Sequence, residues 1–197
     1  MFFIGVGCLA FIILLIFDLN KIFFFHKIVN FCFATGLALL AMSTIGILMG
    51  NYASFEVSLP FRLLFCALAI ISLLLLVYSL FFWLPFGGTY IDVNQGNTVV
   101  DTGMYALCRH PGAIWVGFFY LFLWLASGKM MMFGAGIVWT IMNTMLVYVE
   151  DRWIFPKTLV GYDNYKTVVP FLIPSFRTCK KKLLAYLRRE FTIPEKV

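Results

Sequence analysis

The polar residues of this chain gather in three short stretches, and most of the remainder is apolar. The first stretch reads Asn97-Thr98-Val99-Val100-Asp101-Thr102-Gly103-Met104-Tyr105-Ala106-Leu107-Cys108-Arg109-His110-Pro111. It joins an aromatic face, a guanidinium and an imidazole to a backbone that favours extension. The second holds Thr140, Asn143, Thr144, Glu150 and Asp151, at spacings that set them on one side of a helix. The third is Tyr162-Asp163-Asn164-Tyr165, then Val169-Pro170-Phe171-Leu172-Ile173-Pro174. Two tyrosines followed by two prolines predict a short amphipathic turn that continues extended. These groups suit ligand binding more than acid–base or metal chemistry. The histidines are His26 and His110 alone, which excludes the His-rich di-iron membrane oxygenases and desaturases. Cys8, Cys32, Cys66, Cys108 and Cys179 are scattered without a CxxC pair, so neither a disulfide framework nor a zinc site is predicted.

The elements that must position these residues are membrane spans. Of 197 residues, 62% are hydrophobic and 12% charged, with a mean hydropathy of +0.95. A soluble domain is about 45–50% apolar and about 25% charged. Composition therefore excludes a water-soluble globule and a disordered chain. Long unbroken apolar runs exclude the alternating pattern of a membrane barrel. The predicted fold is all-α and polytopic, with about five spans at 2–17, 31–49, 63–86, 111–127 and 130–149. The first run is short, but it lacks a positive leader, and Asp18 stands where a signal peptide would have a small-residue cleavage site. Gly5-Val6-Gly7 within it reads as a helix-packing feature, not a nucleotide loop. Pro156 is expected to end the fifth helix near Phe155.

Only Gly128 and Lys129 separate the last two spans, which forces a tight antiparallel hairpin. The chain reads as one membrane domain. Residues 1–86 form the N-terminal spans, 87–175 a core, and 176–197 a basic tail. Net charge is +6, and ten of the 15 Lys and Arg residues follow residue 150. Placing the C-terminus in the cytoplasm puts Lys21, Lys27, Arg109 and the tail cations inside, and leaves Arg62 and Lys129 outside. The tail sequence FRTCKKKLLAYLRREF repeats Leu183, Leu187 and Phe191 at helical spacing beside cations. That pattern predicts an interfacial helix on anionic lipid, with no role in binding nucleic acid. In this topology the polar loop before the fourth span and the segment after the fifth share one membrane face. Their residues can build one site.

Taken in order, the polar blocks resemble the isoprenylcysteine carboxyl methyltransferase superfamily, which includes phospholipid methyltransferases. The pattern is carried by Thr102, Gly103, Tyr105 and Arg109-His110-Pro111, the hairpin, Glu150-Asp151, and then Tyr162, Tyr165, Val169 and Pro170. It covers about residues 85–175. Two positions depart from it: Ala113 replaces a tyrosine, with Trp115 two residues later, and Leu146 replaces an arginine one turn before the glutamate. The resemblance implies S-adenosylmethionine as cofactor and a lipid or lipidated acceptor, prenylcysteine among the candidates, in a bacterial inner membrane or the endoplasmic reticulum. On that basis Asn97, Thr98, Val99 and Val100 run along the cofactor and Tyr105 offers it an aromatic face. The helix start at His110, Pro111, Gly112 and Ala113 offers amides to an anion. Glu150 takes an ammonium or ribose hydroxyls. Asn143 and Arg152 are expected to meet the acceptor, Arg152 in place of the arginine missing at Leu146. A polar group as deep as Asn143 predicts a tunnel from the loop to the lipid face. Two other classes share parts of the pattern: membrane NADPH-dependent reductases of the sterol or steroid type, and a non-catalytic membrane scaffold.

Overall fold

The computed structural model describes residues 1–83 and 97–174. The basic tail and most of the loop before the fourth span lie outside them, so the expected interfacial helix is not described. The chain is an all-α polytopic membrane protein. Its main helices are α1 (Phe2–Phe23), α2 (Phe31–Met49), α3 (Leu59–Tyr78), α4 (Pro111–Ser127) and α5 (Met130–Val149). They run up and down, so the ends of α1, α3 and α5 meet the starts of α2 and α4 at one membrane face. α1 packs on α2 and α3 on α4, and α5 packs on both α1 and α4. No comparable seam joins α2 to α3. Four of the helical stretches are long and apolar enough to cross a membrane, and α4 is a shorter apolar helix.

The outside of this bundle is greasy, as a lipid-facing surface requires. Leu63, Leu64, Ile70, Ile71 and Leu74 of α3 are all exposed. Lipid removes the hydrophobic drive for helix association, so close packing and hydrogen bonds hold the helices together. Gly7 permits the α1–α5 contact: a methyl group there would overlap the Trp139 ring, whereas Gly5 has nothing within 4 Å. Trp139 is fully buried, and its Nε1 donates to Ile4 O at 3.2 Å. Tyr120 OH and Thr44 Oγ1 lie 3.2 Å apart, linking α4 to α2. Phe11, Leu14, Ile47, Val116 and Met132 complete this core. The α4–α5 turn uses Gly128 at φ 70, in the left-handed region. Its neighbour Lys129 donates to Gly50 O, tying the hairpin to the α2–α3 connection.

Two expected helix boundaries are corrected. α1 does not stop before Asp18; it continues to Phe23 with Asp18, Asn20 and Lys21 buried. Asp18 and Lys21 are three residues apart and satisfy each other, so the polar residues do not break the helix. Nor does the chain leave helix at Pro156. A π-turn spans Glu150–Ile154, and α6 (Phe155–Thr158) carries Pro156 in its first turn. Phe155 N–H donates to Glu150 O, five residues back. In that register Pro156 leaves the Asp151 carbonyl over, and Lys166 Nζ donates to it at 3.3 Å. A helix α7 (Tyr162–Val168) gives the predicted turn; Val169 after it is extended, but the chain then bends at 171–173 instead of running on extended.

Candidate functional site

The segment after α5 clasps the segment before α4. Strand β1 (Asn97–Thr98) pairs in parallel with β2 (Leu159–Val160). Farther along, Arg109 N–H donates to Pro170 O at 2.9 Å and His110 N–H to Phe171 O at 3.2 Å. These backbone bonds fix the two polar blocks against each other, independently of their side chains.

Asp151 is the electrostatic centre of the clasp. It is 5% exposed. Its Oδ1 lies 3.2 Å from Arg109 Nη1 and 3.3 Å from His110 Nε2, and accepts from Tyr162 OH at 2.6 Å. Lys166 Nζ approaches Oδ2 at 3.9 Å. A carboxylate this deep requires such partners. The π-turn accounts for its position. By widening the helix at Glu150–Ile154, it turns the consecutive acids Glu150 and Asp151 both inward. A second layer of bonds comes from tyrosines: Tyr165 OH donates to Tyr105 O at 2.6 Å, and Tyr105 OH donates to Ser79 O at 3.1 Å. Burial pushes the Tyr105, Tyr162 and Tyr165 hydroxyls well above the usual phenol range, so all three remain donors. Burial also lowers the His110 pKa, outweighing the hydrogen bond and charge of Asp151. His110 is then a neutral imidazole at pH about 7, with its Nε2–H directed at Asp151.

Beside this clasp lies a cavity of about 180 Å³. Its polar end is formed by Val99, Val100, Tyr105, Arg109, His110, Gly112, Ala113, Glu150, Tyr162 and Tyr165. Its apolar end reaches into the bundle between Phe11, Leu14 and Phe17 of α1, Leu37 and Leu40 of α2, and Leu76 of α3. Asn143 lines it from α5. Of the residues singled out from sequence, Val99, Val100, Tyr105, His110, Gly112, Ala113, Asn143 and Glu150 share this cavity. Ala113 gives the wall only a methyl group. Asn97 and Thr98 belong to the strand pair. Pro111 is buried at the first position of α4 without facing the cavity. Arg152 is exposed and stays outside it.

Three details differ from the expected site. The amides of His110 and Ala113 are already used, by Phe171 O and His110 O respectively, and Pro111 has none. The start of α4 therefore offers fewer donors to an anion than its position implies. The polar stripe of α5 divides: Thr140 packs its methyl toward Gly117 of α4, and Thr144 bonds back to Thr140 O at 2.8 Å. Only Asn143 of that helix, and Glu150 in the π-turn that follows it, bring polar groups to the cavity. Finally, the cavity gains Asp18 of α1, which the sequence pattern did not single out. The available signal was the Asp18/Lys21 pair at helical spacing beside an apolar run.

Comparison with protein-family models, with curated proteins and with solved structures found no match.

Proposed function

We propose that this chain is an integral membrane methyltransferase, related to the isoprenylcysteine carboxyl and phospholipid methyltransferases. In this reading it uses S-adenosylmethionine to methylate a lipid or lipidated acceptor at the cytoplasmic face, with its own C-terminus on that side. One observation carries the proposal. Two motif blocks separated by the α4–α5 hairpin close around a single cavity, polar at the membrane face and apolar within the bundle. Lys21, Arg109, Lys157 and Lys166 cluster at that face while Lys129 lies at the other, which supports a cytoplasmic assignment.

The donor set fits the cofactor's chemistry. Arg109 Nε is buried without a hydrogen-bond partner, and its side chain is 10% exposed. Such an orphaned donor suits a carboxylate. Glu150 suits an ammonium or ribose hydroxyls. With its hydroxyl engaged by Ser79 O, Tyr105 retains a ring face for an adenine or a cation. The bound cofactor supplies an electrophilic methyl group on a sulfonium. The protein's part is alignment and exclusion of water, because an in-line displacement needs orientation more than a strong base. Asp151 fixes Arg109 and His110, and through Tyr162 it also fixes α7. The acceptor's chain reaches the cavity from the bilayer past Leu37 and Leu76, where no seam closes α2 against α3.

S-adenosylhomocysteine should raise the melting temperature of the detergent-solubilised protein, and NADPH should not. A ligand at a hundredfold excess over its dissociation constant stabilises by about 2.7 kcal/mol. Folded protein that shifts with NADPH alone, or with neither at millimolar ligand, contradicts the proposal.

A further inference from the structure

α1 and α2 meet in a corner at the membrane face that carries the polar end of the cavity. One buried amide builds this corner. Asn20 is 3% exposed. Its Nδ2 donates to His26 O at 3.0 Å, and its Oδ1 accepts from His26 N–H at 3.0 Å. Phe25 N–H donates to Asn20 O at 2.9 Å, and a tight helical turn over Lys27–Asn30 leads into α2. The clamp holds Phe25 at φ 53, in the left-handed region. A bulky side chain is strained there, whereas glycine would not be. Yet the Phe25 side chain is not spent on the core, because the residue is 65% exposed. Strain borne by an exposed ring points to a use outside the fold.

Its neighbours share that exposure. Phe23, Phe24, Ile28 and Phe31 are 58–82% exposed. The 22 residues of α1 span about 33 Å at the helical rise, against about 30 Å of hydrocarbon. The corner therefore stands at head-group level. Two exposed ammonium groups are set among its rings. Lys157 Nζ of α6 lies 5.7 Å from the centre of the Phe23 ring, and Lys27 follows four residues after Phe23. Among the described residues neither lysine forms an ion pair. Asp163 shares a groove with Lys157 without pairing with it. Asp18, Glu150 and Asp151, the other acids of the neighbouring elements, are buried.

We propose that the α1–α2 corner, together with Lys157, is a binding site for an anionic phospholipid. The phosphate meets Lys27 and Lys157, and the acyl chains lie along the exposed rings. A bound lipid would tie the α1–α2 pair to α6, which directly follows the turn carrying Glu150 and Asp151 and whose Phe155 lines the cavity. The site holds whatever chemistry the cavity performs. Binding makes and breaks no covalent bond.

Phosphatidylglycerol and phosphatidylcholine with the same acyl chains are titrated into the full chain in neutral detergent. Binding is read by native mass spectrometry and by melting temperature. Phosphatidylglycerol should bind more tightly and raise the melting temperature further. A lysine at an anionic lipid surface is worth about fivefold in affinity. Lys27→Gln and Lys157→Gln should therefore each weaken phosphatidylglycerol about fivefold, and the double variant about twenty-five-fold. The same losses should appear in a chain whose tail residues Lys180, Lys181 and Lys182 are changed to Gln. Arg62→Gln, at the start of α3 on the opposite face, should leave affinity unchanged. Phe25→Gly should weaken phosphatidylglycerol without lowering the melting temperature in lipid-free detergent, which separates the use of the ring from folding. Glycerol phosphate at millimolar concentration should not displace the lipid. Equal affinity for the two lipids, an unchanged affinity in the Lys27, Lys157 or Phe25 variants, an equal loss in Arg62→Gln, or displacement by glycerol phosphate overturns the site.

Discussion

His110 Nε2 lies 3.3 Å from Asp151 Oδ1, forty-one residues later in the chain. The contact joins the start of α4 to the π-turn that follows α5. With Arg109 and Tyr162 on the same carboxylate oxygen, it locks the two polar blocks into one face of the cavity.

Asp151 and Glu150 are adjacent and both buried, yet their substitution should have opposite signatures. Asp151→Ala removes the partner of a buried guanidinium and should cost about 3–5 kcal/mol of stability. Glu150→Ala removes a carboxyl that faces a cavity, so it should lose S-adenosylhomocysteine binding more than stability. Chemical denaturation and ligand thermal shift on both variants check this. A Glu150→Ala protein that binds like wild type would mean that Glu150 has no cofactor role.

The α1–α5 seam gives a prediction independent of any ligand. Gly7→Ala forces a methyl into the Trp139 ring and should destabilise by about 1–3 kcal/mol. Gly5→Ala meets nothing within 4 Å and should be neutral or stabilising by up to about 1 kcal/mol. Thermal unfolding in detergent compares the two; equal losses would mean that α1 does not pack on α5 as described.

Acid should weaken the clasp through His110. Burial lowers its folded pKa below the ordinary imidazole value of about 6.5. At a pH above that value neither state is protonated and the neutral ring's contribution is complete. Below it the unfolded chain takes up a proton that the folded chain resists, so stability falls until the folded pKa is passed. The slope from this group is at most about 1.4 kcal/mol per pH unit. Melting temperature against pH should show this loss between neutrality and mild acid, and His110→Gln should flatten it. A profile unchanged by that substitution would assign the acid sensitivity to another group.

Periodicity and composition were sufficient for α2, α4 and α5, whose apolar runs end where turn residues begin. The Gly128–Lys129 joint is one such boundary, with Gly128 taking the left-handed conformation the turn needs. They were insufficient where polar residues continue a helix instead of ending it. Asp18 reads as the end of an apolar run, yet a partner one turn away lets it stay helical and buried. Pro156 reads as a stop, yet the π-turn before it changes which carbonyl loses its donor, and Lys166 compensates. The α5 stripe shows the same limit from the other side. Spacing placed Thr140 and Thr144 with Asn143, but threonine can satisfy its own helix or pack its methyl, so only the amide faces the cavity. The meeting of Tyr105, His110, Glu150 and Tyr162 was foreseeable because topology put their segments on one face. The contribution of α1 was not, since it depends on tertiary packing between α1 and α5.

The central claim is that a nucleoside cofactor occupies the polar end of this cavity. A structure of the protein determined with S-adenosylhomocysteine tests it most directly. The account predicts density for the adenosine against Val99, Val100 and Tyr105, with Glu150 and Arg109 in contact with the ligand's polar groups. Density for the ligand elsewhere, or an acyl chain filling the Val99–Tyr105 end at saturating S-adenosylhomocysteine, would contradict it.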